Sequence, residues 1–262
     1  MSRIGEKFTE LKSTGSRGFI PFITAADPDI ANTELLLIEL ARAGADIIEL
    51  GVPFSDPVAD GEVIQRASQR ALRNGVTLSH ALDCAARARS RIGTPMVLFS
   101  YFNPLLQFGE ERLACEAKAA GIDGVLVTDL IPEEAQSWIE RLYQNDLDPI
   151  FLVAPTTSDE RLAHIAQRAR GFIYAISRAG VTGTRDALTR EAEELVRRIR
   201  AVSDLPVAVG FGVSTSEQVK EVWRFADAAV IGSAIVNEIE RLNGAPDLAS
   251  RIADFARSLS AK

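Results

Sequence analysis

Residues 46–61 read DIIELGVPFSDPVADG, which sets Glu49 inside a run that otherwise looks like a buried strand and places Asp56 and Asp60 in the loop after it. A carboxylate in apolar surroundings holds its proton, and full burial raises its pKa by roughly 3–5 units, which suits general acid/base work near neutral pH. A loop aspartate reached by solvent stays ionised. Two carboxylates in such different environments form a proton-moving pair. From position alone a second reading stays open, in which Glu49 is matched by a buried Arg or hydroxyl and the loop aspartates make turns beside Pro and Gly.

A grip for phosphate is the second chemical theme. Gly210-Phe211-Gly212 and Gly232-Ser233-Ala234 each close an apolar run near the C-terminal end of the chain. Glycine lets backbone N–H groups approach an anion closely, and Ser233 adds a hydroxyl. A further glycine-containing stretch, SRAGVTGTRDALT (177–189), is long enough to act as a lid.

Scarce residues narrow the chemistry. Schiff-base catalysis needs a lysine in the site, yet Lys7, Lys12, Lys118, Lys220 and Lys262 all fall in helical or terminal segments. A metal site would want clustered His and carboxylates, but His80 and His164 are both expected mid-helix, which disfavours one. Cys84 and Cys115 lack the short spacing of a metal or redox pair. Carbon–carbon cleavage or isomerisation here would therefore run without metal or cofactor, on a substrate whose own ring system absorbs electrons.

These residues need elements to hold them. Apolar runs of strand length recur at 18–24, 45–52, 95–101, 124–129, 149–155, 172–177, 206–211 and 228–233, with stretches of helical period between them. The runs are continuously apolar, as in a parallel sheet covered on both faces. Eight such units in 262 residues predict a (β/α)8 barrel in a single domain, 1–262, with IGEKFTELKS as an extra N-terminal helix across one end. A doubly wound open sheet is the alternative, although no G-x-G-x-x-G follows the first run. Barrel enzymes react at the C-terminal ends of their strands, where Glu49 and both glycine pairs fall.

The net charge of −7 is spread without a Lys/Arg block, so nucleic acid and anionic membranes are poor partners. The N-terminus is charged where a signal peptide needs an apolar core, and a cytoplasmic location is expected.

The stretch LGVPFSDPVADG (50–61), followed by VIQ (63–65), resembles the signature of the tryptophan synthase α subunit family. FIPFITAADPD (19–29), FNP (102–104), VLVTDL (125–130), SRAGVTG (177–183) and GFGVSTSEQV (210–219) resemble it in order and spacing. The resemblance implies a (β/α)8 barrel that cleaves indole-3-glycerol phosphate to indole and glyceraldehyde 3-phosphate without cofactor. It also implies an α2β2 complex in which indole passes to a pyridoxal-phosphate β subunit. By resemblance, Glu49 is the acid/base at the ring and the glycerol hydroxyl, Asp60 accepts the indole N–H, and Tyr174 stands beside them. Phe22, Phe99, Leu126 and Leu152 surround the indole, and the phosphate rests on Gly183, Gly212, Gly232 and Ser233. Thr182 reaches Asp60 when the lid closes, Arg178 orders that lid, and the loop around Pro53 and Asp56 faces the β subunit.

The family pattern has Gly at Ala26 and Pro at Glu62, and often Pro at Ile131. Glu62 is expected to point away from Asp60, because a helix start favours an acidic side chain. The rivals are another phosphate-binding barrel, such as a sugar-phosphate isomerase or indole-glycerol-phosphate synthase, a free-standing indole-releasing lyase, and a non-catalytic binding subunit.

Overall fold

The computed structural model describes residues 2–176, 185–210 and 212–260, and within residues 185–188 the backbone alone. Eight parallel strands close into a barrel in sequence order: β1 (Gly18–Thr24), β2 (Ile48–Gly51), β3 (Met96–Ser100), β4 (Gly124–Val127), β5 (Asp148–Val153), β6 (Ile173–Ile176), β7 (Val207–Gly210) and β8 (Ala228–Ile231). β8 returns to pair with β1, so the open-sheet alternative is excluded.

Twelve helices occur among the described residues: α1 (Arg3–Ser13), α2 (Ile30–Arg42), α3 (Glu62–Arg73), α4 (Leu78–Arg89), α5 (Phe102–Phe108), α6 (Glu110–Ala119), α7 (Gln136–Gln144), α8 (Asp159–Arg168), α9 (Arg185–Arg200), α10 (Ser216–Val222), α11 (Ser233–Arg241) and α12 (Leu248–Ser260). None is long and apolar enough to cross a membrane.

Each strand divides its side chains between two cores. Phe19, Ile23, Ile48, Leu50 and Leu98 point outward and pack beneath the helices. Ile20, Phe22, Val97, Phe99, Leu126 and Tyr174 point inward and fill the barrel, so the continuous apolar runs have apolar surroundings on both faces. α1 closes the N-terminal end, where Ile4, Phe8 and Leu11 join the inner core and the Phe8 ring lies 5.8 Å from that of Phe172.

Strand pairs are also fastened by aspartates at strand starts. The Phe19 N–H donates to Asp46, Met96 N–H to Asp123, and Val207 N–H to Asp227, at 2.7, 2.9 and 2.9 Å. Each bond satisfies a backbone donor at the barrel rim that the ladder would leave open. Asp123 also receives Arg3 and Arg89 at 2.9 and 2.8 Å, which ties α1 and α4 to the same end.

Ala26, in the turn after β1, has φ +61°, so the chain keeps the left-handed conformation where the family pattern places glycine. Its N–H donates to Thr33 Oγ1 at 2.7 Å, which helps to hold it there. A left-handed alanine costs about 1 kcal/mol or more, and glycine adopts that φ without the clash. Ala26→Gly is expected to raise the urea unfolding midpoint by up to about 1 kcal/mol of stability after glycine's larger unfolded-state entropy is subtracted. A lower midpoint would mean that the turn carries no such strain.

Candidate functional site

Glu49 is the charged member of an inward-facing layer: its Cα pairs in register with Phe22 on β1 and Val97 on β3. It is 1 % exposed, and its Oε1 finds no hydrogen-bond partner among the described residues. Burial alone raises its pKa to about 8. No Arg or hydroxyl among the described residues draws it back down, so the paired reading left open by the sequence finds no support among them. An uncompensated carboxylate in such a place is held neutral, because ionising it would cost far more than a proton transfer does.

Asp60 lies near the end of the loop after β2, separated from α3 only by its N-cap Gly61, and is half-buried. Burial raises its pKa to about 6, while a hydrogen bond from the Tyr101 hydroxyl works in the opposite direction. The same hydroxyl accepts from the Ala59 N–H at 2.9 Å, and the Phe54 ring lies 5.1 Å from that of Tyr101. The Asp60 carbonyl accepts from Gln65 Nε2 at 2.9 Å, fixing the carboxylate at the helix start. Tyr101 is thus a site residue that sequence reasoning missed. Its available signal was position: it ends the run PMVLFSY two residues after inward-facing Phe99.

Tyr174 stands on β6, opposite Leu152 and Ala208, and is buried in the inner core. Burial raises its pKa well above the usual range, and the charges of Glu49 and Asp60 push in the same direction. The three groups therefore share one field. Gly210 makes room for this arrangement, because a Cβ there would fall 2.2 Å from the Tyr174 hydroxyl. Gly51 does the same for Phe22, whose ring would lie 2.5 Å from an added Cβ.

Phe22 and Phe99 meet edge to face at 5.3 Å and 77°, and with buried Leu126 and half-buried Leu152 they form an apolar wall beside Glu49. That wall suits a flat aromatic ring. Gly232 is the N-cap of α11 and Ser233 its first residue, with no side chain capping that helix start. A Cβ at Gly232 would lie 3.6 Å from Phe22 Cβ, so the grip adjoins the aromatic wall. Gly212 has φ +89°, with open space where a side chain would be, which lets the backbone face an anion. Arg178, Thr182 and Gly183 lie outside the described residues.

Around the mouth, Asp56 is exposed and Pro53 buried. Glu62, first residue of α3, is exposed and acts electrostatically on Arg66, in keeping with its pointing away from Asp60. Behind the mouth, Arg70 on α3 binds fully buried Asp27 through Nε and Nη2 at 2.7 and 2.9 Å and Glu240 on α11 through Nη1 at 2.6 Å. Arg66 reaches the same Glu240 at 2.8 Å. The two helices that begin just after Asp60 and at the Gly232 grip are thereby joined to each other and to the turn after β1. His80 is the third residue of α4, where its ring completes a capping box with Thr77, rather than lying mid-helix.

The chain's relatives carry the same architecture. A family model described as tryptophan synthase alpha chain matches residues 8–261. The tryptophan synthase alpha chain of Citrifermentans bemidjiense is 47% identical over 259 residues, covering 99% of this chain and 97% of the relative. That of Geobacter sulfurreducens is 48% identical over 259 residues, covering 99% and 98%. The crystal structure of tryptophan synthase subunit alpha from Legionella pneumophila superposes with TM-score 0.91 at 36% identity, covering 99% of this chain and 97% of that one. A chain of tryptophan synthase from M. tuberculosis in its aminoacrylate-bound form gives 0.88 at 37% identity, covering 99% and 100%. A barrel whose mouth holds a buried carboxyl of raised pKa, a second carboxylate and an open helix start thus agrees with these likenesses: the chain belongs to the tryptophan synthase alpha chain family.

Proposed function

We propose that the chain is a carbon–carbon lyase of tryptophan biosynthesis that cleaves indole-3-glycerol phosphate to indole and glyceraldehyde 3-phosphate. The observation that carries this reading is Glu49, a fully buried carboxyl at the mouth of the barrel with no counter-charge among the described residues. Neutral Glu49 donates its proton to C3 of the indole, and the ring becomes an indolenine cation. Ionised Asp60 accepts the ring N–H and stabilises that charge. Glu49, now a carboxylate, removes the proton of the hydroxyl on the carbon bonded to C3. That carbon becomes the aldehyde of glyceraldehyde 3-phosphate, the C–C bond breaks, and its electron pair returns to the ring as aromatic indole. The proton count balances, with Glu49 reprotonated at the end. Phe22, Phe99, Leu126 and Leu152 hold the ring, Tyr174 lines the carboxylate pair, and Gly212, Gly232 and Ser233 hold the phosphate. Gly183 joins that phosphate grip, Thr182 reaches Asp60 when the lid closes, and Arg178 orders the lid.

The scheme needs Asp60 ionised and Glu49 protonated in the free enzyme. With these groups at about 6 and about 8, kcat/KM is expected to be bell-shaped with limbs near those values. An acid limb near 4, where an ordinary Asp titrates, would argue against the Asp60 assignment.

The partner is a tryptophan synthase β subunit in an α2β2 assembly, with the cytoplasm as the working compartment. Support comes from the rim: Val58, Leu106 and Ile131 are 86%, 51% and 41% exposed, on the segments after β2, β3 and β4, close to exposed Asp56. Apolar side chains gathered at one end mark a docking surface. Pro53 shapes the same loop from beneath. The test is indole release from indole-3-glycerol phosphate by the purified chain, with and without a β subunit. Slow release strongly accelerated by the partner is expected. Fast release unaffected by it would indicate a free-standing lyase, and no release in either case would refute the reading.

A further inference from the structure

The mouth contains a second buried polar atom without a partner. Thr24, the last residue of β1, is 1 % exposed, and its Oγ1 finds no hydrogen-bond partner among the described residues. Alternation along β1 fixes its direction: Phe19, Ile23 and Ala25 belong to the outer core, while Ile20 and Phe22 belong to the inner one. Thr24 therefore shares the inward face with Phe22. It pairs with Gly51, two residues beyond the Phe22–Glu49 pair in the direction of the mouth. On its other side β8 ends at the Pro21–Ile231 pair, and Gly232, the next residue, packs against Phe22. Thr24 thus stands two residues nearer the mouth than Phe22, which Glu49 flanks on one side and Gly232 on the other, on the strand between Glu49 and the phosphate grip.

A buried hydroxyl is normally hydrogen-bonded, and one facing a binding cavity without a protein partner is available to a ligand. Under the function proposed above, on which this inference rests, the glycerol chain runs from the scissile carbon beside Glu49 to the phosphate. It carries two hydroxyls. Glu49 deprotonates the one on the carbon bonded to the ring, and the second has no partner in the scheme. We propose that Thr24 is a specificity residue whose hydroxyl hydrogen-bonds the non-reacting hydroxyl of the substrate's glycerol chain. The bond fixes the chain so that the reacting hydroxyl meets Glu49, and it discriminates against phosphates that lack the second hydroxyl.

The test compares Thr24→Val and Thr24→Ser with wild type, using indole-3-glycerol phosphate turnover and calorimetric binding of indole-3-propanol phosphate, which keeps ring and phosphate but lacks both hydroxyls. Thr24→Val is expected to lower kcat/KM on the order of 10- to 100-fold, the loss of one buried hydrogen bond. Its affinity for the propanol phosphate and the limbs of its pH profile should stay unchanged, and Thr24→Ser should recover most of the activity. Thermal unfolding of Thr24→Val at or above the wild-type temperature verifies that the fold is intact, since a buried unpaired hydroxyl has been removed. Full kcat/KM in Thr24→Val, or an equal loss of affinity for the propanol phosphate, would overturn the assignment while leaving the lyase reading standing. A wild-type chain that releases no indole would overturn both.

Discussion

Glu49→Gln is expected to lower indole release by about 10²- to 10⁴-fold, the usual contribution of general acid/base catalysis, while making the folded chain more stable at neutral pH. Both effects come from the same burial. Glu49 titrates at about 8 in the folded chain, against 4.5 for an ordinary glutamate. Between those values the folded state holds a proton that the unfolded state has released, so stability falls as pH rises through that window. Below pH 4.5 the contribution is fully present, and above about 8 the loss is complete. Glutamine fills the same space without titrating. A tenfold difference in proton affinity between the folded and unfolded chain is worth about 1.4 kcal/mol, so the variant should exceed wild type by a few kcal/mol near pH 7.5 and by little near pH 5. Urea unfolding at those two pH values, beside a turnover assay, reads both effects. Near-full turnover, or a stability difference that does not widen with pH, would remove Glu49 from the proton-moving role.

Arg70→Met is expected to destabilise the chain by about 3–5 kcal/mol, the cost of leaving one member of a buried pair uncompensated. Asp27 is fully buried, and both its carboxylate oxygens accept from Arg70. Burial already outweighs the guanidinium and holds the Asp27 carboxyl above its ordinary value. Without Arg70 the carboxyl must move further upward, so the destabilisation should grow as pH rises above 3.8, where an unfolded aspartate ionises. Glu240 loses one cation but keeps Arg66, so the α3–α11 contact is weakened rather than abolished. A loss under about 1 kcal/mol, typical of surface pairs, would show that the Asp27 site relaxes to admit water.

The barrel strands were legible because burial on both faces forces continuous apolar runs, and 18–24 coincides with β1 residue for residue. The C-terminal ends of several other runs extend one or two residues past the strands, since residues such as Val52, Tyr101 and Ala154 continue the apolar composition after the pairing has ended. Four helices give weaker signals. α3 buries Ile64, Ala67, Ser68 and Ala71, which are too small and too mixed to stand out as a stripe. α5 carries Pro104, which resembles a breaker in sequence but is tolerated in the first turn of a helix. α11 and α12 follow the last strand with no further run to delimit them.

Within the site, Glu49 was visible because a carboxylate interrupts an apolar run, and Gly232 because it stands at the end of one. Tyr101 was hidden because its role depends on Asp60, forty-one residues earlier in sequence and brought beside it by the closing of the barrel. Thr24 was hidden for a different reason: threonine is a common strand residue, and the absence of a partner for its hydroxyl can be recognised only when the neighbours are known. Ala26 shows a conformation surviving the loss of its preferred residue. The turn after β1 keeps its left-handed angle with Thr33 and the Asp27–Arg70 pair holding either side.

The decisive measurement is the titration of the Glu49 carboxyl itself, by infrared difference spectra of wild type against Glu49→Gln across pH 4 to 9. A protonated carboxyl band that persists through neutrality and disappears near pH 8 is the expected result. Ionisation near 4.5, the value of an exposed glutamate, would contradict a neutral acid at the mouth of this barrel.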